Sequence, residues 1–236
     1  MPANSIEICT GPNPTAAVIW LHGLGADGND FVPVVAELTP LLSLPEHRHV
    51  RFIFPHAPVR PVTCNGGYEM RAWYDIFSLE HFEREDEAGF IEARQRIDTL
   101  IDDQQRQGIS ADNIVLMGFS QGGAVALYSG LRHPQPLAGI GALSCYLPLR
   151  DSTATERASA NRHTPIFMAH GRQDPVVGFV LGERSRDLLQ ELGYAVQWHA
   201  YDMEHSVCMD EIRDIAHWLG DCLSRTDVVT DEPARD

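Results

Sequence analysis

Short apolar runs alternate along the chain with longer stretches whose apolar residues recur three and four apart, and this alternation limits the fold more than any other feature. Residues 16–21, 50–54, 114–118, 137–143, 165–169 and 195–200 have the length and continuous apolarity of strands buried on both faces. Between them, residues 30–42, 87–105, 122–132, 179–192 and 210–223 carry helical period. Strand followed by helix, repeated, is the pattern of an α/β domain with a mostly parallel central sheet and helices on both faces. Residues 5–9 are expected to add an antiparallel edge. Residues 1–223 read as one domain, without linker or repeat, and 224–236, polar and acidic, as a frayed tail.

In such a sheet functional groups collect on loops leaving the carboxyl ends of the strands. The run 114–118 leads into Gly118-Phe119-Ser120-Gln121-Gly122-Gly123 and then a helical stretch. That is a nucleophile elbow in its required context: a serine on a sharp strand-to-helix turn, with glycines where a Cβ would clash. A coincidental G-x-S-x-G turn is the competing reading. A serine hydroxyl needs a base to take its proton and a carboxylate to orient the base, expected here in the order serine, acid, histidine. Asp174 follows the run 165–169, in His170-Gly171-Arg172-Gln173-Asp174, and is the candidate acid; the alternative is a plain helix cap. His205, on the loop after 195–200, is the candidate base. Asp202, three residues before it, is the second candidate acid, while His170 is expected to pack or to orient the acid loop. An oxyanion hole needs one backbone N–H after the nucleophile and one from an early strand loop. Gln121 and Leu24, in His22-Gly23-Leu24-Gly25, meet that description. A phosphate cradle is the rival reading of the glycine loop, but no lysine is present to reach a phosphate.

Composition removes other chemistries. All 18 basic residues are arginine, so Schiff-base, Walker-lysine and Ser-Lys mechanisms are excluded. Against 33 acidic residues the net charge is −15, which disfavours nucleic acid and anionic lipid surfaces. The odd count of five cysteines, with no C-x-x-C, fits neither a disulfide framework nor a zinc site, and reads as reduced, mostly buried thiols. No metal or organic cofactor is expected. The first residues lack a basic segment with an apolar core, and no apolar run approaches the ~18 residues of a membrane span, so the expectation is a cytoplasmic protein without stable membrane insertion.

Taken together, Leu21-His22-Gly23-Leu24-Gly25, Pro55-His56-Ala57-Pro58, Met70-Arg71-Ala72-Trp73-Tyr74-Asp75, the Ser120 elbow, Leu143-Ser144-Cys145-Tyr146-Leu147-Pro148-Leu149, the segment 170–177 and His205-Ser206 resemble the phospholipase/carboxylesterase family of α/β-hydrolases, which includes bacterial carboxylesterases and acyl-protein thioesterases. The resemblance implies an α/β-hydrolase fold and ester or thioester hydrolysis by Ser120, Asp174 and His205, with Leu24 and Gln121 as oxyanion donors. The expected activity is a serine carboxylesterase for small or medium acyl chains. Acyl-protein thioesterase or lysophospholipase activity is the near alternative, and a catalytically silent binding module the distant one. Expected partners are a small ester or thioester, an acylated protein or a lysophospholipid, with a homodimer as the one assembly considered. Acyl-pocket candidates are the loop 64–73, with Tyr68, Met70 and Trp73, and the segment Tyr146-Leu147-Pro148, in which family analogy favours Leu147; the competing reading places these aromatics in the core. One departure is Glu204, where relatives usually carry glycine before the histidine; its carboxylate would either raise the pKa of His205 or face solvent.

Overall fold

The computed structural model describes residues 5–78 and 84–224. In chain order it comprises β1 (Ser5–Cys9), β2 (Ala16–Leu21), α1 (Val34–Leu38), β3 (Val50–Pro55), β4 (Val59–Val62), β5 (Tyr68–Arg71), α2 (Glu87–Arg106), β6 (Ile114–Phe119) and α3 (Gln121–Arg132). β7 (Gly139–Leu143), α4 (Arg150–Glu156), β8 (Ile166–Gly171), α5 (Phe179–Glu191), β9 (Val196–Tyr201) and α6 (Met209–Ser224) follow. The main sheet has the order β1-β3-β2-β6-β7-β8-β9, with β1 antiparallel to β3 and every other pair parallel. This is the mostly parallel α/β-hydrolase arrangement expected from the sequence. Ser224 ends α6; the rest of the expected tail, 225–236, lies outside the described residues.

Parity along β2 explains why its run has no polar gap. Ala17, Ile19 and Leu21 enter one core with residues of α2, α3 and α5, whereas Ala16, Val18 and Trp20 enter the other with α1 and α6. Successive side chains point to opposite faces and both faces are covered by helices, so every position must be apolar. β2 lies between β3 and β6, and the chain leaves it in both directions. That reversal of strand order opens a crevice at the carboxyl ends of β2 and β6, the ordinary place for a ligand site in an open α/β sheet.

Three elements depart from the sequence reading. The helix expected at 30–42 shrinks to α1 plus a 3-10 turn at Thr39–Leu41, because Pro33 stands at the cap and Pro40 inside the turn. β4 and β5 form an antiparallel hairpin where a loop was expected, and α4 follows β7. Of the cysteines, all free thiols, only Cys145 and Cys222 are buried, while Cys9 is exposed and Cys64 and Cys208 are half-buried.

Glu211, in the first turn of α6, is fully buried and neither carboxylate oxygen meets a hydrogen-bond partner. Burial pushes its carboxyl up to about 8 from an ordinary 4.5. The folded state therefore holds a proton that the unfolded chain releases, so this residue's contribution to stability falls as pH rises between those values. Urea unfolding should show that Glu211→Gln gains about 3 kcal/mol on the native protein between roughly pH 5 and pH 7.5. An unchanged pH slope would refute a carboxyl held protonated here.

Candidate active site

Ser120 sits between β6 and α3 with φ 55° and ψ −120°, a combination that side-chain-bearing residues avoid. The strain is held by neighbours on both sides: Ser120 N–H donates to the Leu143 carbonyl at 2.8 Å, and its carbonyl accepts from Ala124 N–H at 3.1 Å. The flanking glycines are sterically compelled. A Cβ on Gly118 would lie 2.4 Å from the Gly122 carbonyl, and one on Gly122 would lie 2.4 Å from the Leu21 oxygen. The elbow is thus folded tightly over the end of β2.

His205 Nε2 lies 2.9 Å from Ser120 Oγ, and its Nδ1 lies 2.7 Å from Asp174 Oδ2. The chain Ser120, His205, Asp174 is therefore closed by two hydrogen bonds across loops 85 and 31 residues apart in sequence. The Asp174 side chain is wholly buried. Burial opposes its charge, yet hydrogen bonds from His170, His205, Val177 N–H and Val176 N–H outweigh this and hold the carboxyl well below the usual range. A permanently ionised acid fixes the proton of His205 on Nδ1 and leaves Nε2 free to accept from the serine. Asp202 is elsewhere: 84% exposed and 3.6 Å from Arg172. Glu204 is exposed, and its φ is negative, so the loop before His205 does not require glycine.

The early loop approaches the nucleophile closely. A Cβ on Gly23 would stand 3.5 Å from Ser120 Cβ, and Gly25 adopts φ 76°, a turn that favours glycine. His22 anchors this loop, with Nδ1 donating to the Gly23 carbonyl at 2.7 Å and Nε2 accepting from Ala57 N–H at 3.0 Å. Burial lowers its pKa, keeping the ring neutral in that role. Gln121 is the first residue of α3, so its N–H has no carbonyl within the helix to bind. Its buried side chain bridges outward: Oε1 accepts from Trp73 N–H and Nε2 donates to the Tyr74 carbonyl, both at 2.8 Å.

Ser120, Gln121 and Leu24 together face a mainly apolar cavity of about 90 Å³, whose other walls include Tyr74, Ile76, Phe77, Tyr146, Val176 and Val177. Of the acyl-pocket candidates Tyr146 lines it, whereas Met70, Trp73 and Leu147 do not. Trp73 is 2% exposed, its indole N–H donating to the His22 carbonyl at 2.9 Å, and Leu147 is 4% exposed within the core. Met70, half-buried on β5, lies beneath the glycine loop, 3.7 Å from where a Gly25 Cβ would stand. The wall uses Tyr74 in place of its neighbour Trp73, and Tyr146 in place of Leu147 within the same expected segment. The motifs containing them were visible, but which residue of each pair turns to the cavity depends on loop geometry that carries no periodicity. At the far wall the Tyr74 and Tyr146 hydroxyls are 3.5 Å apart, and the half-buried Glu85 accepts from Leu149 N–H at 2.8 Å.

Among the described residues no helix is long and apolar enough to cross a membrane, and no cluster of side chains has the makings of a metal site.

Residues 3–223 match the model of a phospholipase/carboxylesterase family. Acyl-protein thioesterase 1 of Neurospora crassa is 43% identical over 219 residues, covering 89% of this chain and 88% of that protein. Acyl-protein thioesterase 1 of Yarrowia lipolytica is 39% identical, covering 92% and 96%. Among solved structures, Arabidopsis thaliana SOBER1 superposes with a TM-score of 0.80 at 31% identity over 88% of this chain and 99% of its own. Zea mays acyl-protein thioesterase 2 gives 0.78 at 27% over 92% and 99%.

Proposed function

The chain belongs to the phospholipase/carboxylesterase family and is a hydrolase of ester or thioester bonds, and on that premise we propose that it is a serine acyl-thioesterase, removing acyl groups from protein thiols, with Ser120, His205 and Asp174 as its triad. The observation that carries the mechanism is the closed hydrogen-bond chain of 2.9 and 2.7 Å opening on an apolar cavity. What supports the thioester reading is the name shared by relatives near 40% identity that align over almost their whole length.

In this reading Ser120 Oγ attacks the acyl carbonyl as its proton passes to His205 Nε2, and Asp174 stabilises the imidazolium. The Leu24 and Gln121 N–H groups receive the oxyanion of the tetrahedral intermediate. Collapse expels the thiolate or alkoxide, which takes the proton from His205, leaving an acyl-serine. Water, deprotonated by the same nitrogen, then attacks the acyl-serine, and collapse returns the proton to Ser120 and frees the carboxylic acid. The apolar wall formed by Ile76, Val176 and Val177 would receive the acyl chain, and the cytoplasm would be the place of work.

A carboxylesterase for small or medium acyl chains is the second reading, favoured by the size of the cavity. Matched oxygen esters and thioesters of increasing chain length distinguish the two. A thioesterase should show a higher kcat/KM on the thioester of each pair and cleave an S-acylated peptide; a consistent preference for oxygen esters, with no release from the peptide, would favour the second reading.

A further inference from the structure

We propose that His170 is a positioning residue for the acid: its Nε2–H steers Asp174 Oδ2 toward His205 and pins the segment that carries both Asp174 and one wall of the cavity. This rests on the triad reading above.

His170 lies on β8 and is fully buried, with Nε2 2.8 Å from the Val177 carbonyl and 3.4 Å from Asp174 Oδ2. A carbonyl only accepts, so Nε2 carries the hydrogen and gives it to Val177, with the Asp174 carboxylate close beside it. Nδ1 is buried and meets no partner, as suits the bare nitrogen of that neutral tautomer. The ring is held in place: Phe179 stands edge-on at 5.9 Å, Trp198 lies 6.3 Å away, and a Cβ on Gly182 would come within 2.5 Å of Nδ1. The absence of a side chain at position 182 is what admits the imidazole.

The segment 174–177 has its own internal closure, in which Asp174 Oδ1 accepts from the N–H groups of Val176 and Val177 at 2.8 Å each. That turn fixes the carboxylate relative to the segment but does nothing to fix the segment relative to the sheet. His170 supplies the second restraint, from a strand inside the core. Its bond holds Val177, which lines the cavity, and the ring edge standing 3.4 Å from Asp174 Oδ2 biases the oxygen offered to His205. Without the imidazole donor the Val177 carbonyl would be a buried acceptor without its partner, free to relax at the expense of the acid's aim.

The test compares His170→Phe, which keeps the bulk and removes the donor, with His170→Gln, which keeps an N–H. For folded variants, Phe should lower kcat by about 10-fold to 100-fold, the range typical of groups that orient another functional group, with KM changed far less. Gln should restore most of the loss. The far-downfield proton resonance of His205 Nδ1–H, read without substrate, should broaden or move in the Phe variant and recover with Gln. Wild-type kcat and an unmoved resonance in folded His170→Phe would overturn the proposal, as would equal losses in both variants. If neither variant folds, nitrogen NMR of the native protein decides: a proton on His170 Nε2 supports the proposal and one on Nδ1 overturns it. Failure of the hydrolase reading would look different, as a native protein whose Ser120 is not labelled by a fluorophosphonate.

Discussion

Replacing Ser120 by alanine is expected to lower kcat by about 10⁶-fold, and adding His205→Ala to that variant should cost almost nothing more. The two side chains act as one device through a 2.9 Å bond. Once the nucleophile is gone the base has no proton to take, so the losses must not multiply. Asp174→Asn keeps the bulk but exchanges an acceptor for a donor opposite His205 Nδ1, which favours the wrong tautomer; about 10⁴-fold is expected. Asp202→Asn should leave the rate near native, because that carboxylate is solvated and faces Arg172. Steady-state hydrolysis of a p-nitrophenyl ester by the five proteins checks all of this. An inactive Asp202→Asn beside an active Asp174→Asn would exchange the roles of the two acids, and a multiplicative loss in the double variant would mean that His205 does not serve Ser120.

Gly122→Ala should be among the most damaging single methyl groups in the described residues. The added carbon would lie 2.4 Å from the Leu21 oxygen and 2.6 Å from the His22 oxygen, both backbone atoms at the end of a central strand. Neither can retreat as a flexible side chain would. The alternatives are to push α3 off the sheet or to displace the glycine loop. We expect a cost of roughly 4 kcal/mol, at the extreme of single substitutions, with activity lost even where the protein still folds. Gly178→Ala provides the contrast, since nothing stands within 4 Å of its Cβ position. Thermal unfolding of the two variants should differ by many degrees; similar melting temperatures would mean that the elbow yields more easily than its geometry implies.

The sheet was readable because burial on two faces leaves a continuous apolar run, as in β2, and the elbow because glycines are forced wherever backbone touches backbone. Hidden elements lack such compulsion. β4 and β5 are four-residue strands with largely exposed side chains, Pro61 inside one of them, and Gly66-Gly67 at the turn, so no alternation marks them. α4, Arg150–Glu156, buries only Thr153 and therefore shows no apolar stripe. Chain order admits both Asp174 and Asp202; what favours Asp174 is its place on a separate strand-end loop, whereas Asp202, three residues before His205, has little freedom to reach behind the imidazole. The cavity wall could not be read that way. Trp73 by its size and Leu147 by its apolarity attract attention, but both pack into the core, and the adjoining tyrosines, each with a hydroxyl to satisfy, line the cavity.

Gln121 joins two parts of the molecule that the sequence keeps 47 residues apart. Its main chain sits beside the nucleophile while its carboxamide clasps the Trp73–Tyr74 backbone, and that strip is the start of the cavity wall. Pocket and nucleophile are consequently not free to breathe separately: any outward swing of the wall tugs on the first turn of α3. A substrate too wide for the cavity would then be penalised twice, once by crowding and again by disturbing the amide proposed to receive the oxyanion. Selection for acyl width and catalytic rate are thereby tied to a single side chain.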